Sequence, residues 1–319
     1  MPAESKIFLT HRNDKSGDEL REGFKTIDPR FDKLLPENPK IVHHWHGAEW
    51  AEGAVYLPRQ KLVVMSDVPN NRMISYNQAT GETAVHREPS NYSNGNTTDH
   101  EARMVTAEHQ TNRITRTEHD GSVTTLVDNF EGKRFNSPND LVVKSDGTVW
   151  FTDPPYGILS NREGTKRDSD YGANYVFRYD PESSSLLVAI DTMDRPNGLA
   201  FSPDESILYV ADTGEPRNVL AFDVANDGKT LSNEREFLLV RPGASDGFRC
   251  DVNGNIWTSA EDGVHCYTPR GELIGKILLP EQSTANCCFG GPDFTTLYIA
   301  SDTSLYSVEL AIAGAMYGK

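Results

Sequence analysis

Two stretches decide the fold: SPNDLVVKSDGTVWFTD, Ser137–Asp153, and ASDGFRCDVNGNIWTSA, Ala244–Ala260. At one constant offset Gly147 falls on Gly254 and Trp150 on Trp257 without a gap. Each stretch reads as a short strand, a Gly/Asp turn and a second apolar strand that ends in a small or acidic residue. The pattern returns in WAEGAVYLPRQKLVVMSD from Trp50, SNGNTTDHEARMVTAEH from Ser93, RPNGLAFSPDESILYVAD from Arg195 and ANCCFGGPDFTTLYIASD from Ala285. Two further strand-like runs follow each copy except the last, such as RMISYN and ETAVHRE. Four strands per unit, at about 40 to 60 residues a unit, predict an all-β fold, a β-propeller of six four-stranded blades.

Working outward, the last blade looks one strand short. The apolar run KIVHHW, Lys40–Trp45, precedes the first copy and is free to supply the missing outer strand, joining the two ends of the chain. Residues 1–23 are polar and read as a loose arm, leaving 24–319 as a single propeller domain. The polar, glycine-rich segment between Tyr156 and Tyr175 reads as a loop able to cover one mouth of the channel.

Superposing the six copies gives a column of Glu52, Asn94, Asn139, Asn197, Asp246 and Asn286. Each stands at the start of a first strand, which is innermost in a propeller, so the six should converge on the axis at one end. Asn and Asp are common at strand starts, which explains one or two of them but strains at six of six. Clustered carboxylates and amide oxygens are what a hard divalent cation recruits. Oxygen-only donors favour Ca²⁺ first and Mg²⁺ next; Mn²⁺ and Zn²⁺ also accept oxygen, although Zn²⁺ would be expected to recruit His or Cys.

The strings AEWAEGAVY, SDVPNNR, FEGKRFNSPNDLVV, WFTDPPYG, RPNGLAFSPDE, YVADTG and SDGFRCDVNGNIW together resemble the SMP-30/gluconolactonase family, over about residues 28 to 310. That resemblance implies a six-bladed propeller hydrolysing a sugar lactone, with one divalent metal at the channel mouth. It implies Glu52, Asn197 and Asp246 as metal ligands, with Asn139 facing both metal and substrate. Asp246 and Asn139 are then the catalytic candidates, and Asn139, Tyr156 and Asn94 the substrate-binding ones. Whether Asp246 or a hydroxide on the cation takes the water's proton stays open. Two other readings keep the column: hydrolysis of organophosphates or other activated esters, and a non-catalytic propeller with structural calcium.

Several features carry the bland reading. The G-x-S-x-G match at Gly243–Gly247 precedes strand–turn–strand sequence, not the helix a nucleophile elbow needs, so Ser245 is expected to orient its neighbour. His43 and His44 should point to opposite faces of a strand. Cys250, Cys266, Cys287 and Cys288 lack C-x-x-C spacing and read as buried packing. The second column, Asp67, Glu108, Asp153, Asp212 and Asp302, with Ala260 in the fifth copy, marks second-strand ends and reads as capping turns. A net charge of −16 argues against nucleic acid and anionic membranes as partners. No secretory signal is visible at the start, so a cytoplasmic location is expected, with a small-molecule lactone as the implied partner and no protein partner.

Overall fold

The computed structural model describes residues 6–7, 20–21 and 23–316. Six antiparallel sheets stand around a central channel in chain order, each led by its innermost strand: Ala51–Leu57, Ser93–Thr98, Leu141–Val143, Pro196–Phe201, Phe248–Cys250 and Thr284–Gly290. Neighbouring innermost strands touch all the way round, and the sixth touches the first. The protein is therefore a six-bladed β-propeller. Regular helix among the described residues is confined to Pro29–Asp32 and Tyr156–Leu159. No helix is long and apolar enough to cross a membrane.

The ring closes as the sequence suggests. Ile41–His46 is the outer strand of the sixth blade, paired with Ser304–Glu309 from Ser304↔His46 to Val308↔Ile41. The fifth blade gains an addition that the repeat pattern did not announce, Phe24–Thr26 laid against Leu273–Leu278. Most of the expected N-terminal arm lies outside the described residues. Its described pieces, Lys6–Ile7 and Leu20–Arg21, pair with Ile41–His46 and Phe24–Thr26.

Burial falls off radially. Ala51–Leu57 is buried at every residue, whereas the outer strand Thr83–Arg87 of the same blade is almost wholly exposed. Blades stack face to face, so second strands are covered on both sides and read as continuous apolar runs. The repeated tryptophans sit there. Trp150 lies between the third and fourth blades and Trp257 between the fifth and sixth, both fully buried. Each indole N–H finds an acceptor, Thr148 Oγ1 and Asp251 Oδ2 respectively, both at 3.0 Å.

Two devices set the column. The first is an irregularity in the ladder. Register slips between Glu52 and Val55, between Pro196 and Leu199, between Thr284 and Asn286, and opposite Ser93–Asn96. A bulge of this kind re-aims the side chain it carries. In the third and fifth blades the ladder begins at Leu141 and Phe248, so Asn139 and Asp246 stand two residues ahead of their strands and not on them. The second device is the acidic column at second-strand ends, which caps its own blade's approach to the column. Asp67 accepts from the Glu49 amide (2.9 Å) and Asp153 from Asn136 and Ser137 (both 2.8 Å). Asp212 accepts from Asp194, Arg195 and Gly214 (2.8, 2.9 and 2.9 Å). Glu108 does the same through the Asn91 side chain (3.1 Å). In the fifth blade, where Ala260 stands, Ser259 Oγ accepts from the Asp246 amide instead (2.9 Å).

Glycine follows the column residue wherever neighbouring blades press closest. A Cβ on Gly198 would lie 2.0 Å from the Asp246 carbonyl oxygen, and one on Gly53 would lie 1.9 Å from that of Asn94. Gly198→Ala is therefore expected to push the fourth and fifth blades apart and lower stability by about 1–3 kcal/mol or more. Asp212→Ala strands three backbone N–H groups and should cost about 3 kcal/mol or more. Thermal denaturation checks both.

Candidate active site

Asp246 is half-buried at the mouth, and the fold brings Asn197 and Glu52 to it. The Asn197 amide hydrogen-bonds the Asp246 carboxyl, and the Glu52 charge acts on it directly. Glu52 is 4 % exposed, held by Trp50 Nε1 at 3.2 Å on Oε1 and by the Gly53 amide at 3.1 Å on Oε2. Asn197 Nδ2 also reaches Thr213 Oγ1 at 3.2 Å. That hydroxyl meets Tyr156 Oη at 2.5 Å, and the Arg195 guanidinium lies 5.9 Å from the Tyr156 ring centre. One polar chain thus runs from Tyr156 through Thr213 and Asn197 to Asp246.

The remaining column members are placed differently. Asn139 and Asn94 are both buried, 4 % exposed. Their backbones are tied inward, the Asn139 carbonyl accepting from the Gly95 amide (2.7 Å) and the Asn94 carbonyl from Ser66 Oγ (2.7 Å). Asn286 is spent within the ring: its amide bonds the Asp140 carboxyl, and its Oδ1 accepts from the Cys287 N–H (2.9 Å). Asp140, 1 % exposed, was not singled out from sequence although it is the neighbour of Asn139 in SPND. It faces Arg249, with Nη1 and Oδ2 3.5 Å apart. The signal for it was available, since an acidic residue there replaces the glycine that follows the column in four other blades.

Electrostatically the mouth is strained. Burial pushes the Glu52 carboxyl well above the ordinary carboxylate range, and the charges of Asp140 and Glu163 push the same way. Asp246 is raised by burial and then by the charges of Glu52, Asp140 and Glu163. Among the described residues no three His, Cys, Asp or Glu side chains form a metal cluster of their own. The donor set is two carboxylates plus carboxamide oxygens, all hard ligands, and among the described residues no ion pair engages either carboxylate. A divalent cation fits that set.

The decoys resolve structurally. Ser245 is 2 % exposed and spends its hydroxyl on Thr258 Oγ1 at 2.7 Å, facing inward. His43 packs on Tyr306 (4.9 Å between centroids), while His44 packs on Tyr76 (4.2 Å) and bonds Ser307 Oγ (2.7 Å). All four cysteines are buried and free. A cavity of about 200 Å³ lies where the inner strands end, remote from the column, between Tyr56, Thr97, Val143, Arg249 and Phe289.

Comparison with known proteins agrees with this architecture. The family model described as SMP-30/Gluconolactonase/LRE-like region matches residues 50–303, and the chain belongs to that family. It is similar to a gluconolactonase of Zymomonas mobilis, 32 % identical over 90 % of this chain and 86 % of the relative. It is also similar to a pentonolactonase of Haloferax volcanii, 26 % identical over 78 % and 80 % of the two chains. The solved structure of a Xanthomonas campestris gluconolactonase superposes with a TM-score of 0.86 at 34 % identity, covering 92 % of this chain and 96 % of that one.

The raised carboxyls yield a signed expectation. A carboxyl held higher in the folded state than in the unfolded chain stabilises below its unfolded value and loses that stability as pH rises through the folded one. In chelator, the protein should melt lower at pH 8 than at pH 5. Added Ca²⁺ should raise Tm more at pH 8, because only ionised carboxylates hold it. Glu52→Gln should flatten both trends in differential scanning fluorimetry.

Proposed function

We propose, from membership of the SMP-30/gluconolactonase family and from the convergence of Glu52, Asn197 and Asp246, that the protein hydrolyses a sugar lactone with the help of one divalent cation. Glu52 and Asp246 would hold the cation with their carboxylates, and Asn197 and Asn139 with carboxamide oxygens; Ca²⁺ suits that set first. When bound, such an ion polarises the lactone carbonyl and stabilises the oxyanion that develops there. The observation carrying the reading is the Asp246 carboxyl, bonded by Asn197 and facing the Glu52 charge.

The chain's own groups supply the rest. Asp246 is open on one side to the mouth, so its carboxylate can take the proton of the water that adds to the carbonyl carbon. The ring C–O bond then breaks, the ring oxygen gains a proton, and the product is an open hydroxy acid. Asn139 orients the ester oxygens, and Asn94 and Tyr156 line the sugar side. Thr213 fixes the Tyr156 hydroxyl, which keeps the phenol against the pocket wall.

A pH-stat assay on aldonolactones tests the reading. Chelation should abolish turnover and Ca²⁺ restore it. Asp246→Ala and Asn197→Ala should each lower kcat by about a hundredfold or more, the scale of losing a group that stabilises developing charge. Ser245→Ala should keep most of the activity. Turnover indifferent to chelator and to Asp246→Ala would sink the assignment, as would inactivation of Ser245→Ala together with a serine-reagent adduct.

A further inference from the structure

The segment from Tyr156 to Tyr175 is built across the mouth and anchored on three blades. Gly157 lies against the second and third blades so closely that a Cβ there would be 2.7 Å from His109 Cβ and 2.8 Å from Ser137 Cβ. Gly164 rests in turn on Gly157, where a Cβ would meet the Gly157 carbonyl at 2.2 Å. The Gly157 amide donates to Ser137 Oγ at 2.9 Å, and Gln110 Nε2 donates to Thr165 Oγ1 at 2.8 Å. Arg162 crosses to the first blade, 3.2 Å from Glu49.

Between these anchors lies Glu163. Its carbonyl is bound at 3.0 Å by Nδ1 of His109, a fully buried imidazole. Burial holds that ring's pKa down to about 4, so it is neutral and Nδ1 carries the proton it donates. The Glu163 side chain is 21 % exposed, and Arg162 engages only Oε1, at 3.1 Å. The strap so anchored sets the Glu163 carboxyl within electrostatic reach of both Glu52 and Asp246.

Resting on the lactonase reading, we propose that Glu163 is the specificity-determining residue of the site, a carboxylate held over the bound lactone by the strap to accept hydrogen bonds from the hydroxyl groups of a polyhydroxylated ring. A sugar lactone differs from a plain cyclic ester by those hydroxyls, and an acceptor with a free lone pair, steadied by a guanidinium, is the group that reads them. His109 is then a positioning residue, which sets the height of Glu163 through the backbone. The exposed Arg162–Glu49 pair is a weak latch beside that buried clamp.

The test compares D-glucono-δ-lactone with unsubstituted δ-valerolactone on the whole protein. Glu163→Ala should lower the ratio of kcat/KM for the sugar lactone to that for valerolactone by about tenfold or more, the scale of one hydrogen bond to a charged group. His109→Ala should lower the same ratio, and His109→Asn, whose amide can donate from the Nδ1 position, should restore it. A melting curve on each variant confirms that it is folded. Equal losses on both lactones in folded Glu163→Ala would overturn the role of Glu163 while leaving the lactonase reading intact. Failure of the unmodified protein to open either lactone would overturn both.

Discussion

Everything at the mouth depends on how closely the innermost strands approach one another. Backbone carbonyls of one blade sit where a side chain of the next would otherwise start, as with the Asp246 carbonyl against Gly198 and the Asn94 carbonyl against Gly53. Only glycine tolerates this, and Gly53 also sits at φ +54°, a region L side chains rarely adopt. Strands so close leave no room for a side chain at the glycine itself. The polar residue just ahead of each glycine must therefore turn to the mouth, where its neighbours are other column residues.

That arrangement has an electrostatic consequence. Glu52 and Asp246 come from distant parts of the chain and act on each other's charge, with Asp140 and Glu163 adding to the repulsion. Left to themselves they would relax apart or take up protons. The fold opposes the first by tethering the approach to the column: Asp67, Asp153 and Asp212 bond backbone amides two or three residues before it in their blades, and Ser259 holds the Asp246 amide itself. Rigid placement of like charges is a costly feature, and the proposed cation is what would turn it to use.

Some members of the candidate site were legible from the repeat alone, because each column residue stands at the start of the strand–turn–strand pattern that defines the copy. Asn286 shows the limit of that reasoning. It satisfies the pattern, yet its side chain serves Asp140 and its own strand. Arg249 escaped notice because its contact with Asp140 is made between blades, which local spacing does not announce; the replaced glycine marked Asp140 but not its partner. Glu163 belongs to an irregular loop, where no period exists to say which of several polar residues turns inward.

The chain's own order of residues determined the number of blades, the closure of the ring by Ile41–His46 and the identity of the polar column. All three follow from local rules of strand alternation and turn chemistry repeated six times. Tertiary structure decided which column members face one another, which one is spent on Asp140, and where the strap sets Glu163. Those outcomes depend on distances between residues remote in sequence, and such distances exist only once the ring has closed.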